Sequence, residues 1–298
     1  MKIFDCFNFS HELDLLEIRL NYLDEVVDYF VLAESEQTFT GLKKELIFLK
    51  NKERFKKFLP KIRHVIIPPV LNLPTINDYA DNTPCTSCWQ REHWQMNYYF
   101  NAINDAAPTD ILLINPIDEI PRLEILKNNI SKTTTPKCCV QDLFFYKLNL
   151  MAVNNEKTHQ LLINDPEHRR KRGRLNNVIV KYYKWYGTII SQSQYIYNNF
   201  WPHQHHQRYF MDIIEDAGWH YTYVGKEKDI LTKIKSFSHA DYFRDSQADN
   251  IEAINKAIEN QTEIIPADRE LKKIELNEQN CPTYILQNYS KYQHLILK

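Results

Sequence analysis

The sequence predicts an α/β protein, a single domain spanning residues 1–298 around a mainly parallel central sheet flanked by helices. Three observations predict it. Short apolar runs alternate with amphipathic stretches from the N-terminus to about residue 115. The run Ile111-Leu112-Leu113-Ile114 reads as a buried strand, too short for a helix and closed by Pro116. The 298 residues are 43% hydrophobic and 13% aromatic, enough for one large core, and no repeat or linker divides them.

The elements follow in order. Ile3-Phe4-Asp5 opens the first strand. Leu15, Leu16, Ile18, Leu20 and Leu23 recur at helical spacing, which predicts a helix over Asp14–Leu23. Val26–Ala33 is a second strand ending at Glu34, Lys52–Phe58 a basic helix and His64–Ile67 a third strand. Pro68, Pro69 and Pro74 then force an irregular loop. A long helix over Cys88–Ala102 leads into the strand Ile111–Ile114. After residue 136, Cys138–Leu150 and Val178–Tyr186 read as longer aromatic-rich strands separated by a polar basic loop. The last third reads as helices over Lys226–Lys235, Asn250–Glu259 and Tyr284–Leu297.

Composition excludes several classes. With 37 basic and 38 acidic residues the chain lacks the positive excess of a nucleic-acid binder, so no nucleic-acid partner is expected. Five glycines are too few for a Gly-rich phosphate loop. No apolar run reaches transmembrane length, and Asp5, His11, Glu12 and Asp14 interrupt any signal-peptide core. The expectation is a cytoplasmic chain whose six cysteines are reduced thiols.

Chemistry concentrates where the Ile111–Ile114 strand ends, at Asp118 and Glu119. Ligands of open α/β sheets bind at strand ends, and hard divalent cations take oxygen ligands there. The plainer reading is a strand end followed by a helix whose first turn carries both acids. Cys85-x-x-Cys88 with Cys138-Cys139 is weak as a zinc site. The basic run 168–174 reads as a solvated loop, with recruitment of an anionic acceptor as the alternative. The histidine-rich stretch 201–206 has no ligand spacing and reads as a loop.

Several segments, in order over most of the chain, resemble glycosyltransferase family 17. They are Ile3-Phe4-Asp5-Cys6-Phe7, then Glu12-Leu13-Asp14-Leu15-Leu16-Glu17-Ile18-Arg19-Leu20-Asn21, and Val26-Val27-Asp28-Tyr29-Phe30-Val31 continuing through Glu34-Ser35 to Thr38-Phe39-Thr40-Gly41. Arg91-Glu92, Asp118-Glu119-Ile120-Pro121, Ala217-Gly218-Trp219-His220 and Lys233-Ile234-Lys235-Ser236-Phe237-Ser238-His239 complete the set. The best-known members add N-acetylglucosamine in β-1,4 linkage to a mannose.

The resemblance implies a GT-A-like fold, a UDP-sugar donor, a carbohydrate acceptor, Mn²⁺ or Mg²⁺, and inversion at the anomeric carbon. Residues 1–135 would bind the nucleotide sugar, and 136–298 would form the acceptor side and the C-terminal helices. The chain departs from the pattern at Pro116, where the family's Asp-x-Asp has its first Asp, and at Met96, where an Arg is usual. Asp118 and His239 are the expected metal ligands, and Glu119 is an expected substrate-binding residue. Asp216 or Glu215 is the expected base, since inverting transfer needs a carboxylate near the acceptor hydroxyl. Glu34 would hold the nucleotide or acceptor. Arg91 would pair with a phosphate, with an ordinary helix ion pair as the alternative. Trp219 offers a flat face to a sugar ring, with core packing as the alternative, and His220 joins it as a substrate-binding residue. The rival to an enzyme is a non-catalytic or metal-independent nucleotide-sugar-binding protein that retains the fold.

Overall fold

The computed structural model describes residues 1–73, 86–155, 181–196, 208, 211–265 and 269–298. Among them, eleven strands form one sheet: β1 (Ile3–Phe9), β2 (Tyr29–Ser35), β3 (Ile62–Ile67), β4 (Ile111–Pro116), β5 (Glu119–Pro121), β6 (Lys137–Phe145), β7 (Leu150–Val153), β8 (Lys184–Gln192), β9 (Asp212–Ile214), β10 (Gly218–Thr222) and β11 (Glu270–Lys273). The main path runs β11-β7-β6-β8-β4-β1-β2-β3; β9 and β10 pair with β6, and β5 pairs with β10.

One half matches the sequence reading. β3, β2, β1 and β4 are parallel neighbours. β1, β2 and β4 are buried on both faces, which is why they read as near-continuous apolar runs, whereas the edge strand β3 is only half-buried. The crossover helix Leu13–Leu23 buries Leu15, Leu16, Ile18, Leu20 and Leu23 in the same core cluster as Phe7, Phe30, Leu32 and Leu113. On the opposite face, Tyr99 and Ile103 pack with Phe4, Val31, Leu112 and Ile114.

The other half corrects the expectation of a mainly parallel sheet. β8 inserts between β4 and β6, antiparallel to both. β7 runs antiparallel to β6, β11 to β7 and β5 to β10, so the sheet is mixed. The stretch expected as one strand over Cys138–Leu150 breaks at Tyr146, whose φ of 60° turns the chain back. A connection that short can join only antiparallel strands.

Boundaries shift elsewhere. Val26 and Val27 lie in a turn, both amides bonding the Leu23 carbonyl. The second described aromatic strand starts at Lys184; residues 178–180 lie outside the described residues. The C-terminal stretch divides into Thr283–Gln287, Tyr289–Tyr292 and a 3-10 turn at Gln293–Leu295. Glu119 belongs to β5 and not to a helix; the next helix is Leu123–Asn129. Cys85, Pro74 and the runs 168–174 and 201–206 lie outside the described residues. The described cysteines are all free and buried. Among the described residues, no helix is long and apolar enough to cross a membrane.

Candidate functional site

Three parallel strands end at one cavity of about 350 Å³, a size typical of small-molecule sites. The C-terminal end of β1 contributes Asn8 and Phe9, the loop after β2 Gln37 to Phe39, and the end of β4 Pro116 to Asp118. Trp185 of β8, His220 of β10 and the segment from Lys233 to His239 form further wall. Aromatic rings therefore share the lining with charged groups.

The acidic turn is held from beneath by Arg19. This residue sits on the apolar side of the Leu13–Leu23 helix and is fully buried, as is its partner Asp5. Its guanidinium makes a two-pronged pair with Asp5 at 2.6 and 2.7 Å. It also donates to the carbonyls of Ile117 (3.2 Å) and Glu119 (2.7 Å) and to Asn115 Oδ1. A rigid fork that satisfies a carboxylate and two carbonyls at once fixes the backbone carrying Asp118. The sequence carried a signal for it: an arginine at the i+3 and i+4 positions from Leu16 and Leu15 falls in the apolar stripe of its helix.

Asp118 is buried and faces Lys233, whose Nζ lies 2.5 Å from Asp118 Oδ2 and 3.5 Å from Glu12 Oε1. His220 Nε2 lies 3.5 Å from the same Asp118 oxygen. Burial pushes the Asp118 carboxyl up, but Lys233 and His220 outweigh it and hold it far below the usual carboxylate range. Burial likewise opposes ionisation of Glu12, yet His11 and Lys233 bring it down to about 2. The Lys233 ammonium is disfavoured by burial and raised on balance by Asp118 and Glu12. All three groups therefore stay charged at neutral pH.

Glu119 faces inward. Its Oε1 accepts from Trp185 Nε1 and from Arg208 Nη1, each at 2.7 Å. Trp185 in turn packs on the His220 ring with centroids 4.4 Å apart. His239 also lines the cavity, flanked by Trp89 at 4.7 Å and Phe237 at 5.3 Å between ring centroids. The structure thus brings Asp118, Glu119, His220 and His239 together as the sequence expected, and adds Glu12, Lys233 and Trp185.

Five other expected residues lie off the lining. Glu34 is fully buried and accepts from the Phe48 amide (2.8 Å) and from His64 (3.2 Å), which makes it a clamp on the Ile47–Lys50 turn. Arg91 donates to the Phe39 carbonyl at 3.2 Å, so it braces the loop that carries Phe39 into the cavity. Trp219 is buried in the core between Tyr22 and Arg122, and not offered to a sugar. Asp216 is 79% exposed near Lys184, and Glu215 pairs with Lys181 at 3.0 Å. Asp216 takes a positive φ of 49° in the turn that precedes β10.

Gly218 lets β10 approach β5. A Cβ there would come 2.2 Å from the Ile120 carbonyl oxygen, and its φ is +144°. Gly218→Ala should therefore cost about 3 kcal/mol, combining overpacking with backbone strain. Urea unfolding checks this, and an unchanged midpoint would show that β10 can move away from β5 freely.

A divalent cation, which the family resemblance implies, is fitted only in part. Among the described residues, no group of three His, Cys, Asp or Glu side chains is poised to hold a metal ion. Two carboxylates do converge on the point that the Lys233 ammonium holds. That is the donor chemistry of Mg²⁺-type ions, which take one or two carboxylates and complete their shell with waters and substrate phosphates.

The family model described as glycosyltransferase family 17 matches residues 1–139 and 177–297. No curated protein matches the chain.

Proposed function

Because the chain belongs to glycosyltransferase family 17, we propose that this cavity binds a nucleotide-diphosphate sugar and transfers the sugar to a glycan hydroxyl with inversion. UDP-N-acetylglucosamine is the donor we assign, and the parallel half of the sheet is the donor-binding half of a GT-A-type domain. The observation that carries the reading is the charged cluster of Asp118 and Lys233 at the ends of three parallel strands, beside aromatic walls suited to a sugar ring.

In the transfer, the acceptor oxygen forms a bond to the anomeric carbon as the bond to the diphosphate breaks. The diphosphate leaves with the electron pair, and a base takes the acceptor proton. Lys233 is the protein cation positioned to stabilise the charge that develops on the leaving group. A divalent cation, for which Asp118 and His239 are the candidate ligands, would add Lewis-acid stabilisation of the same charge. The base is a carboxylate of the cavity wall, since Asp216 and Glu215 lie on the surface away from it.

UDP release from UDP-N-acetylglucosamine and other UDP-sugars, with oligosaccharide acceptors and with or without Mn²⁺, tests the reading. Acceptor-dependent release with an inverted product is the expected result. Binding without turnover would identify a nucleotide-sugar-binding protein instead, and no binding with any donor would overturn the reading.

A further inference from the structure

Apart from the Asp118–Lys233 pair, the cavity wall holds a second polar group that the transfer does not use. Glu119 on β5 and His220 on β10 stand directly opposite each other across antiparallel strands. Side chains so paired share one face of the sheet. Both residues line the cavity and both are buried, Glu119 fully and His220 with 6% exposed. Trp185 ties them together: its Nε1 donates to Glu119 Oε1 at 2.7 Å, and its ring packs on the His220 imidazole.

Each of the two carries one buried atom without a hydrogen-bond partner. Glu119 Oε1 accepts from Trp185 and from Arg208, each at 2.7 Å, whereas Oε2 accepts from nothing. His220 turns Nε2 toward Asp118 Oδ2 at 3.5 Å, and its Nδ1 has no partner. Buried polar atoms are nearly always hydrogen-bonded, so two neighbouring orphans in a cavity wall mark groups that a ligand supplies. Their chemistry selects those groups. A carboxylate oxygen only accepts, and a neutral imidazole that donates from Nε2 accepts at Nδ1. Two acceptors side by side want two donors. A phosphate would bring like charge beside Glu119. Two hydroxyls of one sugar ring satisfy both atoms.

Resting on the glycosyl-transfer reading, we infer that Glu119 and His220 bind two neighbouring hydroxyls of a neutral sugar ring seated against Trp185. The diphosphate binds on the Lys233 side of the cavity, and the sugar hydroxyls bind here. The ring belongs either to the donor or to the end of the acceptor glycan, since both carry such a pair. Arg208 and Trp185 hold the other oxygen of the Glu119 carboxylate, which fixes Oε2 in place. Glu119 and His220 therefore set which sugars are accepted, because a ring lacking either hydroxyl leaves a buried acceptor unpaired.

The test uses the full chain. UDP and UDP-N-acetylglucosamine are titrated by calorimetry, and KM for an oligosaccharide acceptor is measured in the transfer assay. The variant is His220→Gln, whose amide can still donate toward Asp118 but offers no counterpart of Nδ1. If the donor sugar occupies the subsite, UDP-N-acetylglucosamine should bind the parent at least about 10-fold more tightly than UDP. In the variant that gap should close to below about 3-fold while the affinity for UDP holds. If the acceptor occupies it, donor affinity should hold and the acceptor KM should rise at least about 10-fold. A monodeoxy analogue of the responding sugar should lose about 10-fold in affinity with the parent and far less with the variant, because both changes remove the same bond. The deoxy series needs only the parent, so it stands even where His220→Gln melts early. An unchanged gap and an unchanged acceptor KM in folded His220→Gln would overturn the inference, as would full tolerance of every monodeoxy sugar by the parent. No UDP binding to the parent would instead sink the glycosyl-transfer reading.

Discussion

Asp118→Asn should lower the glycosyl-transfer rate by about 100-fold or more, the usual consequence of removing one group aimed at developing charge in an active site. Asn is nearly isosteric, and the backbone bond from the Tyr221 amide to the Asp118 carbonyl is untouched. The loss should therefore fall mainly on chemistry, with a smaller loss of stability. That smaller loss comes from Lys233, which keeps only Glu12 at 3.5 Å. Leaving a largely buried ammonium with one partner should cost about 1–3 kcal/mol. Steady-state kinetics and urea unfolding on the same preparation separate the two effects. A variant that unfolds early but turns over normally would remove Asp118 from the site.

Arg19→Met should give the largest loss of stability of any single change near the cavity, about 3–5 kcal/mol, because it leaves the buried Asp5 carboxylate unpaired. The acidic turn also loses the donor to its Ile117 and Glu119 carbonyls. The double variant Asp5→Leu/Arg19→Met separates these roles. Replacing both members of a buried pair by apolar residues is often close to neutral, so urea unfolding should show most of the stability restored. Transfer should stay depressed, because the Ile117 and Glu119 carbonyls of the turn that carries Asp118 then lack their side-chain donor. Full recovery of activity in the double variant would show that Arg19 serves the fold alone.

The parallel half of the molecule was legible because each of its strands is flanked by its own crossover segment, so local periodicity also carries topology. The antiparallel half was not. β8 pairs with β4 although 81 positions separate Ile111 from its partner Gln192, and no local pattern records such a neighbour. Tyr146 broke an apolar run by taking a positive φ that its residue type does not announce.

The site divides along the same line. Asp118, Glu119, His220 and His239 stand where short motifs placed them. Glu12 and Lys233 became visible only when the fold joined the ends of β1 and β4 to the Glu227–Ser236 helix. Trp219 and Glu34 show the converse. An aromatic ring and a carboxylate suited to ligand contact are used up by Tyr22 and Arg122 in one case, and by the Phe48 amide in the other. Asp216 and Glu215 precede the right motif, but β10 leads away from them, so nearness in sequence to His220 did not become nearness in space.

The central claim is that the donor diphosphate binds in the cavity beside the Asp118–Lys233 pair. Photolabelling with 5-azido-UDP, followed by mass spectrometry of the labelled peptides, tests it most directly. Label should fall on peptides from the cavity wall, residues 8–12, 37–39, 116–119 or 233–239, and unlabelled UDP-N-acetylglucosamine should suppress it. Competable label confined to the surface turn at Glu215 and Asp216, or to the basic run 168–174, would contradict the account.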